Sequence, residues 1–203
     1  NRNVSMQEPN SGAWLYEYDK AGNTKKQTSP AGIIINFQYD ALNRILLKDY
    51  AAATETDVVY EYDNPNSAYG IGRMTKVTDQ SGQTVFAYDQ KGNISNIIKT
   101  IEGVDFAFAA QYNSMNKLTY LTYPDGSRSQ NIFAASGNLT QVRAIGVGQY
   151  WGAPVVTYEG PTTDDKLVRK LGNNTVDLIG YDAALHLPRS LSTKDKNGVT
   201  LRN

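Results

Sequence analysis

The chain has 203 residues, of which 20 are Lys or Arg and 20 are Asp or Glu, so its formal net charge is zero. Without a basic run or an acidic tail, the sequence gives no indication of a nucleic-acid partner or of binding to an anionic membrane surface. It contains no cysteine, which excludes disulfides, thiolate zinc sites and cysteine nucleophiles, and no apolar run approaches membrane-spanning length.

The first recurring element is a Tyr-Asp pair followed at a short distance by Gly or Asn. Strong forms occur at Tyr18-Asp19 with Gly22, Tyr39-Asp40 with Asn43, Tyr62-Asp63 with Gly72 and Tyr88-Asp89 with Gly92. Weaker forms follow at Tyr112, at Phe133 with Gly137, at Tyr158 and at Tyr181-Asp182. The eight aromatic positions are separated by 21, 23, 26, 24, 21, 25 and 23 residues, which is typical of a repeat array.

Each unit is predicted to be a strand, a tight turn and a second strand. Thr84, Phe86 and Tyr88 alternate with other residues, as on one side of a strand. Asp89 suits the turn because its carboxylate can accept hydrogen bonds from nearby backbone amides, and Gly92 can take a positive φ. The periodic aspartates therefore indicate a structural role in turns.

A second kind of turn alternates with the first and returns the chain. It is predicted around Gly32, Gly82, Gly126, Asn174 and Gly198. Gly72 lies ten residues after Tyr62, whereas Gly92 lies four after Tyr88, so residues 64–70 are predicted to be an inserted loop.

The whole chain, residues 1–203, is therefore predicted to be one all-β segment of about eight antiparallel hairpins in series. Both ends fall inside a repeat, which indicates a fragment of a longer protein. The only weak helix signal covers residues 51–55. Residues 145–163 depart from the motif and are expected to form an irregular or looped-out region.

These motifs resemble the YD repeats of the Rhs family, which includes bacterial Rhs and polymorphic toxins, the B and C components of Tc toxins and, more distantly, teneurins. The resemblance rests on Tyr-Asp-x-x-Gly-Asn or Asn-Arg before an aliphatic residue, on return turns of the Pro124-Asp125-Gly126 type, and on the long variant from Tyr62 to Thr75. It implies a curved, spiralling sheet of β-hairpins that forms a hollow shell, and in toxin members this shell encloses a C-terminal effector.

An enzyme is not expected. The single histidine, His186, occupies a position held in other repeats by Arg44, Arg73 or Lys117, and it has no evident catalytic partner. Asp164 and Asp165 are adjacent, so on a strand they would point apart. No catalytic residue, metal site or cofactor is predicted.

Two functions are compatible with the sequence. The favoured one is a wall segment of an Rhs shell, secreted or at the bacterial cell surface as part of a larger protein, whose partners are adjacent repeats and an enclosed effector polypeptide. The alternative is a module that binds glycan or a surface receptor, with Tyr69, Tyr150 and Trp151 as possible ligand contacts.

Overall fold

The computed structural model describes residues 4–9, 12–51, 57–146, 154–159, 166–181 and 188–202. Within these ranges the chain forms 18 β-strands and no helix, so the prediction of an all-β chain of serial hairpins is confirmed. The predictions for residues 52–55, Tyr150, Trp151, Asp182 and His186 lie outside the described residues. The chain divides into two units, Asn1–Ala107 and Phe108–Asn203.

In the first unit each strand pairs antiparallel with the next one in sequence. The strands are β1 (Ser5–Glu8), β2 (Gly12–Tyr18), β3 (Thr24–Thr28), β4 (Ile34–Tyr39), β5 (Ile45–Tyr50), β6 (Val58–Tyr62), β7 (Met74–Asp79), β8 (Gly82–Tyr88) and β9 (Ile94–Ile101).

The boundary between the units falls within β10 (Val104–Tyr112). The second unit continues with the same antiparallel order. Its further strands are β11 (Leu118–Thr122), β12 (Arg128–Phe133), β13 (Leu139–Ile145), β14 (Val156–Glu159), β15 (Lys166–Leu171), β16 (Val176–Tyr181), β17 (Pro188–Lys194) and β18 (Thr200–Arg202).

The strand register gives the first unit one aromatic face. Directly opposed residues in an antiparallel pair share a face, and alternate residues of a strand do so as well. Phe37 lies opposite Lys48, Tyr60 opposite Val77 and Phe86 opposite Ile97. Continued across the strands, this register brings the following aromatic side chains to the same face: Tyr16, Tyr18, Phe37, Tyr39, Tyr50, Tyr60, Tyr62, Phe86 and Tyr88.

The opposite face of the first unit carries cross-strand polar pairs. Lys26 Nζ lies 3.2 Å from Glu17 Oε1, and Lys76 Nζ lies 3.0 Å from Glu61 Oε1. Both pairs occupy directly opposed positions. This face is therefore suited to contact with water, as expected for a sheet with one polar side.

Few side chains are buried. Among the described residues the buried hydrophobic ones are Tyr88 and Ile145, and the buried polar ones are Thr75 and Asp177. The other described strand side chains are half-buried or exposed, because the described strands of each unit contact only their neighbours in the sheet and no second layer of them packs on it. Its stability must therefore come mainly from strand pairing and from contacts between neighbouring strands.

A β-bulge accompanies the aromatic residue at each described turn of the repeat. Glu61 pairs with Lys76 while Tyr62 pairs with Met74, which leaves Thr75 as the extra residue. Thr75 Oγ1 donates to Glu61 O at 3.2 Å. The same register shift occurs at these aromatic positions: Tyr18, Tyr39, Tyr62, Tyr88, Tyr112, Phe133 and Tyr181.

The described return turns differ in conformation. The turns ending at Gly32, Gly126, Asn174 and Gly198 have a positive φ at that residue, with values of 81°, 80°, 64° and 82°. A tighter return joins β9 to β10 through Glu102 and Gly103, whose φ values are 50° and 79°. Two consecutive positive φ values are required by a type I′ turn, and the sequence reasoning missed this turn because Glu is an unusual residue for its first position.

Gly82 and Gly103 provide a matched test of close packing at the return turns. Both have a positive φ, but a Cβ on Gly82 would lie 2.0 Å from Thr100 O, whereas one on Gly103 would meet nothing within 4 Å. We expect Gly103→Ala to lower the free energy of unfolding by about 1–2 kcal/mol through backbone strain alone, and Gly82→Ala to lower it by clearly more. Urea unfolding of both variants measures the difference, and equal losses would contradict the close approach.

Candidate functional site: the row of repeat turns

The turn at residues 19–23 shows how the repeated aspartate acts. Asp19 N donates to Asn23 O at 2.9 Å, and Gly22 N donates to Asp19 O at 3.1 Å. The carboxylate reinforces this loop, since Oδ1 accepts from Gly22 N at 2.6 Å and from Asn23 N at 2.8 Å. Asp89 accepts in the same way from the backbone amides of Lys91 and Asn93, each at 2.9 Å.

We call these the repeat turns; the described ones span residues 19–23, 40–44, 63–73, 89–93, 113–117 and 134–138. The residue before the last in each turn has a positive φ, which favours glycine and tolerates asparagine. These residues and φ values are Gly22 97°, Asn43 61°, Gly72 81°, Gly92 90°, Asn116 57° and Gly137 82°.

The weaker motifs keep the same backbone turn. Asn113 replaces the aspartate and accepts from Met115 N and Lys117 N, both at 3.0 Å. Ala134 has no side-chain acceptor, yet Ala134 N still donates to Asn138 O at 2.8 Å. The carboxylate therefore reinforces a turn that the backbone can form without it.

The long variant is the same turn with an inserted loop. Asp63 N donates to Arg73 O at 3.0 Å, as Asp19 N does to Asn23 O, and Gly72 N donates to Asp63 Oδ1 at 2.6 Å, as Gly22 N does to Asp19 Oδ1. The inserted loop thus occupies residues 64–71 within the turn. It leaves Tyr69 with 55% of its surface exposed.

The last residue of a repeat turn, which we call the exit residue, contacts the following turn at Asn23, Arg44 and Lys117. Asn23 Nδ2 donates to Asn43 Oδ1 at 2.8 Å. Arg44 donates to both carboxylate oxygens of Asp63, at 3.2 Å and 2.5 Å, while its Nε donates to Asp40 Oδ2 at 2.7 Å. One guanidinium therefore bridges two consecutive turns.

Three exit cations also lie over the aromatic ring of the next repeat. Arg44 Cζ is 4.4 Å from the ring centroid of Tyr62, Arg73 Cζ is 5.4 Å from that of Tyr88, and Lys117 Nζ is 5.4 Å from that of Phe133. These distances are within the range of cation–π attraction. Lys117 Nζ donates in addition to Gly137 O.

Two tyrosines of the repeat motif, Tyr39 and Tyr88, link their repeats to the preceding ones. Tyr39 Oη donates to Thr24 O at 3.0 Å, and Tyr88 Oη donates to Met74 O at 2.5 Å. Thr24 and Met74 are each the first residue of the strand that leaves the previous repeat turn. Exit residues thus contact the next repeat, and tyrosine hydroxyls contact the previous one.

The turn carboxylates are stabilised in their charged form. Hydrogen bonds from the Asn23 side chain lower the pKa of Asp19, and those from Asn93 lower the pKa of Asp89. The Arg44 side chain lowers the pKa of Asp63. Burial of the phenol raises the pKa of Tyr88, which keeps this tyrosine a hydroxyl donor.

One repeat in the second unit has an ion pair with a buried carboxylate on the face that carries its aromatic residues. Asp177 is 3% exposed and accepts from Arg169 Nε at 2.9 Å and from Thr193 Oγ1 at 2.7 Å. The Thr193 hydroxyl and the Arg169 guanidinium lower the pKa of Asp177. These contacts are structural, because removing either Arg169 or Thr193 would leave the buried carboxylate of Asp177 with a lost partner.

The described part of the chain presents no arrangement for metal chemistry, since it holds no group of three or more His, Asp or Glu side chains that could bind an ion. It also contains no helix that could cross a membrane. The sequence reasoning placed the aromatic residues, aspartates and glycines in the turns but did not assign the inter-repeat contacts of the exit residues. Their signal is the recurrence of Asn, Arg or Lys four residues after Asp.

Comparison with known proteins agrees with this geometry. Residues 18–57 match the RHS repeat family, and no curated protein sequence matches the chain. The crystal structure of TcdB2-TccC3 is similar with a TM-score of 0.81 and 14% identity, over 98% of this chain and 11% of that chain. The structure of a Photorhabdus luminescens Tc holotoxin pore is similar with a TM-score of 0.79 and 13% identity, again over 98% and 11%.

At these identities the likeness shows the fold, and the predicted YD-repeat sheet of the Rhs type is confirmed. This chain spans 11% of the length of those chains.

The lowered pKa of the turn carboxylates predicts sensitivity to acid. A lowered folded-state pKa contributes stability above the ordinary value of 3.8, and this contribution is lost as the pH falls through the folded-state pKa. We expect the urea midpoint to fall between about pH 5 and about pH 2. Asp63→Asn, which cannot titrate, should be less stable at neutral pH and lose less on acidification; an unchanged pH dependence would contradict this assignment.

The cation of Lys117 can be tested without removing its aliphatic stem. Lys117→Met should lose the ring contact with Phe133 and the hydrogen bond to Gly137, and lower the free energy of unfolding by about 1–2 kcal/mol. Lys170→Met is the control, because Lys170 forms an exposed pair with Glu159 and such pairs contribute about 0–1 kcal/mol. Equal losses in chemical denaturation would show that the ring position adds nothing.

Proposed function

We propose that this chain, a YD-repeat segment that carries an RHS repeat, forms part of the wall of a hollow β-shell that encloses a polypeptide effector. The observation that carries the proposal is the coupling of consecutive repeats within each unit, through Arg44, Arg73 and Lys117 and through the hydroxyls of Tyr39 and Tyr88. Such coupling allows a sheet without a covered core to continue from repeat to repeat.

The two faces of the sheet support a wall rather than a catalytic scaffold. On the polar face, charges such as Glu17 and Glu61 are paired across strands with Lys26 and Lys76. The aspartates that recur in the repeat turns accept hydrogen bonds from backbone amides of their own turns. In this proposal the segment acts by separating two spaces and not through a reactive group.

The partners in this proposal are the adjoining repeats of the same parent chain and the enclosed effector. The location is outside the producing bacterium or at its surface, as part of a larger secreted protein. No cofactor takes part, and no step of bond making or breaking is assigned to this segment.

One observation favours a second function, recognition of a glycan or a surface receptor. Tyr69 is exposed although the loop that holds it is well bonded, and exposed aromatic rings are suited to stacking against sugars. Tyr150 and Trp151, the other candidates for this role, lie outside the described residues. Tyr69→Ala tests the part of this residue in the second function. We expect weaker binding in a glycan panel, and unchanged binding would exclude Tyr69 as a contact.

Enclosure can be tested on the full-length protein that contains this segment. We expect the polypeptide downstream of the repeats to resist limited proteolysis in the intact protein and to be digested rapidly when expressed alone. A Gly82→Ala variant, whose wall is weakened, should give intermediate protection. Digestion of the downstream polypeptide at the same rate in the intact protein and in isolation would contradict the proposal.

A further inference from the structure

The inserted loop at residues 64–71 is a tightly folded element. Ser67 N donates to Asn64 O at 3.1 Å, Gly70 N to Ser67 O at 3.0 Å and Arg73 N to Gly70 O at 3.0 Å, so three successive turns fill the insertion. Gly70 is buried at its centre, and a Cβ there would lie 2.8 Å from both Asn64 O and Thr75 Cγ2. The loop is therefore a fixed part of the sheet edge.

The loop is bonded forward to the following repeat. Ser67 Oγ donates to Phe86 O at 2.6 Å, and Tyr88 N donates to Ala68 O at 3.1 Å. Both partners belong to the end of β8, beyond the point where β7 begins to pair with that strand at Lys76 and Val85. The loop thus takes the place of a neighbouring strand for the last residues of β8.

The loop is also bonded backward to the preceding repeat. Asp63 Oδ1 accepts from Gly72 N at the end of the loop and from Arg44, which comes from the previous turn. Arg73, which follows the loop, donates to Tyr69 O at 2.8 Å and lies over the ring of Tyr88. A continuous path of contacts therefore leads from Arg44 through Asp63 and the loop to Tyr88.

We propose that the inserted loop is a strap that makes the repeats with turns at residues 40–44, 63–73 and 89–93 open as one unit, with Arg44 and Asp63 as its latch. Because the loop adds backbone and side-chain bonds to the following repeat while Asp63 is bonded to the preceding one, this strap creates a block of higher local stability. Its reporter is the amide of Tyr88, which has no contact with Arg44 but depends on the strap for its hydrogen bond.

Amide hydrogen exchange of the whole chain tests the latch. Arg44→Gln removes the bonds to Asp63, and we expect exchange at the Tyr88 amide to accelerate on the order of tenfold, together with that at Gly72. The matched control is Asn23→Ala, which removes the corresponding contact between the turns at residues 19–23 and 40–44 but leaves the strap intact. It should leave exchange at Tyr88 unchanged.

Three results would overturn the proposal. In the first, Arg44→Gln accelerates amide exchange at Gly72 but not at Tyr88. The latch would then stabilise its own turn without stabilising the next repeat. In the second, Arg44→Gln and Asn23→Ala accelerate amide exchange at Tyr88 equally, which indicates a general loss of stability. In the third, Gly70→Ala, which disrupts the loop by steric contact at a distance from the latch, leaves Tyr88 protected.

If Arg44→Gln does not fold, Arg44→Lys replaces it. Lysine keeps the charge but cannot contact both carboxylate oxygens and Asp40 with one planar group. The strap is supported if Arg44→Lys accelerates amide exchange at Tyr88 less than at Gly72 but more than Asn23→Ala does at Tyr88. It is overturned if the Tyr88 amide of Arg44→Lys exchanges as slowly as that of the wild-type chain.

Discussion

The contact between an exit residue and the next repeat, present at Asn23, Arg44, Arg73 and Lys117, is the constraint on which the sheet depends. Because no second layer packs on the described strands, a strand gains little from burial and must be stabilised by the strands beside it. Arg44 illustrates how this is achieved, since it pairs with Asp40 in its own turn, with Asp63 in the next, and lies over the ring of Tyr62. Hydrogen bonding, charge and aromatic packing act there on the same two repeats.

The motif tolerates change because its parts are partly independent. Where Asn113 replaces aspartate, the amide oxygen accepts the same backbone donors, and where Ala134 does so the backbone bond remains. In both of these repeats the positive φ is kept, at Asn116 and Gly137. The backbone conformation is therefore the stricter requirement, and the side-chain acceptor adds to it.

The sequence was sufficient to predict the repeat phase, the hairpins and the turns, because Asp, Gly and Asn act there through their own local backbone. It was not sufficient for features that depend on a residue in another strand. The bulge at Thr75 arises because Lys76 pairs with Glu61 while Met74 pairs with Tyr62, and the role of Lys117 requires knowing that Phe133 comes beside it. The return turn at Glu102 was missed because the steric cost of a positive φ in Glu is offset by the strands that flank it.

The direction of the tyrosine bonds has a consequence for how the chain acquires its structure during synthesis. Tyr39 and Tyr88 donate to carbonyls that precede them in sequence, so their acceptors already exist when each tyrosine leaves the ribosome. The exit residues, such as Arg44, complete their contacts only when the following turn arrives. Since described strands pair only with sequence neighbours, loop-closure costs stay small, and the repeats can be added to the growing sheet one at a time from the N-terminal side.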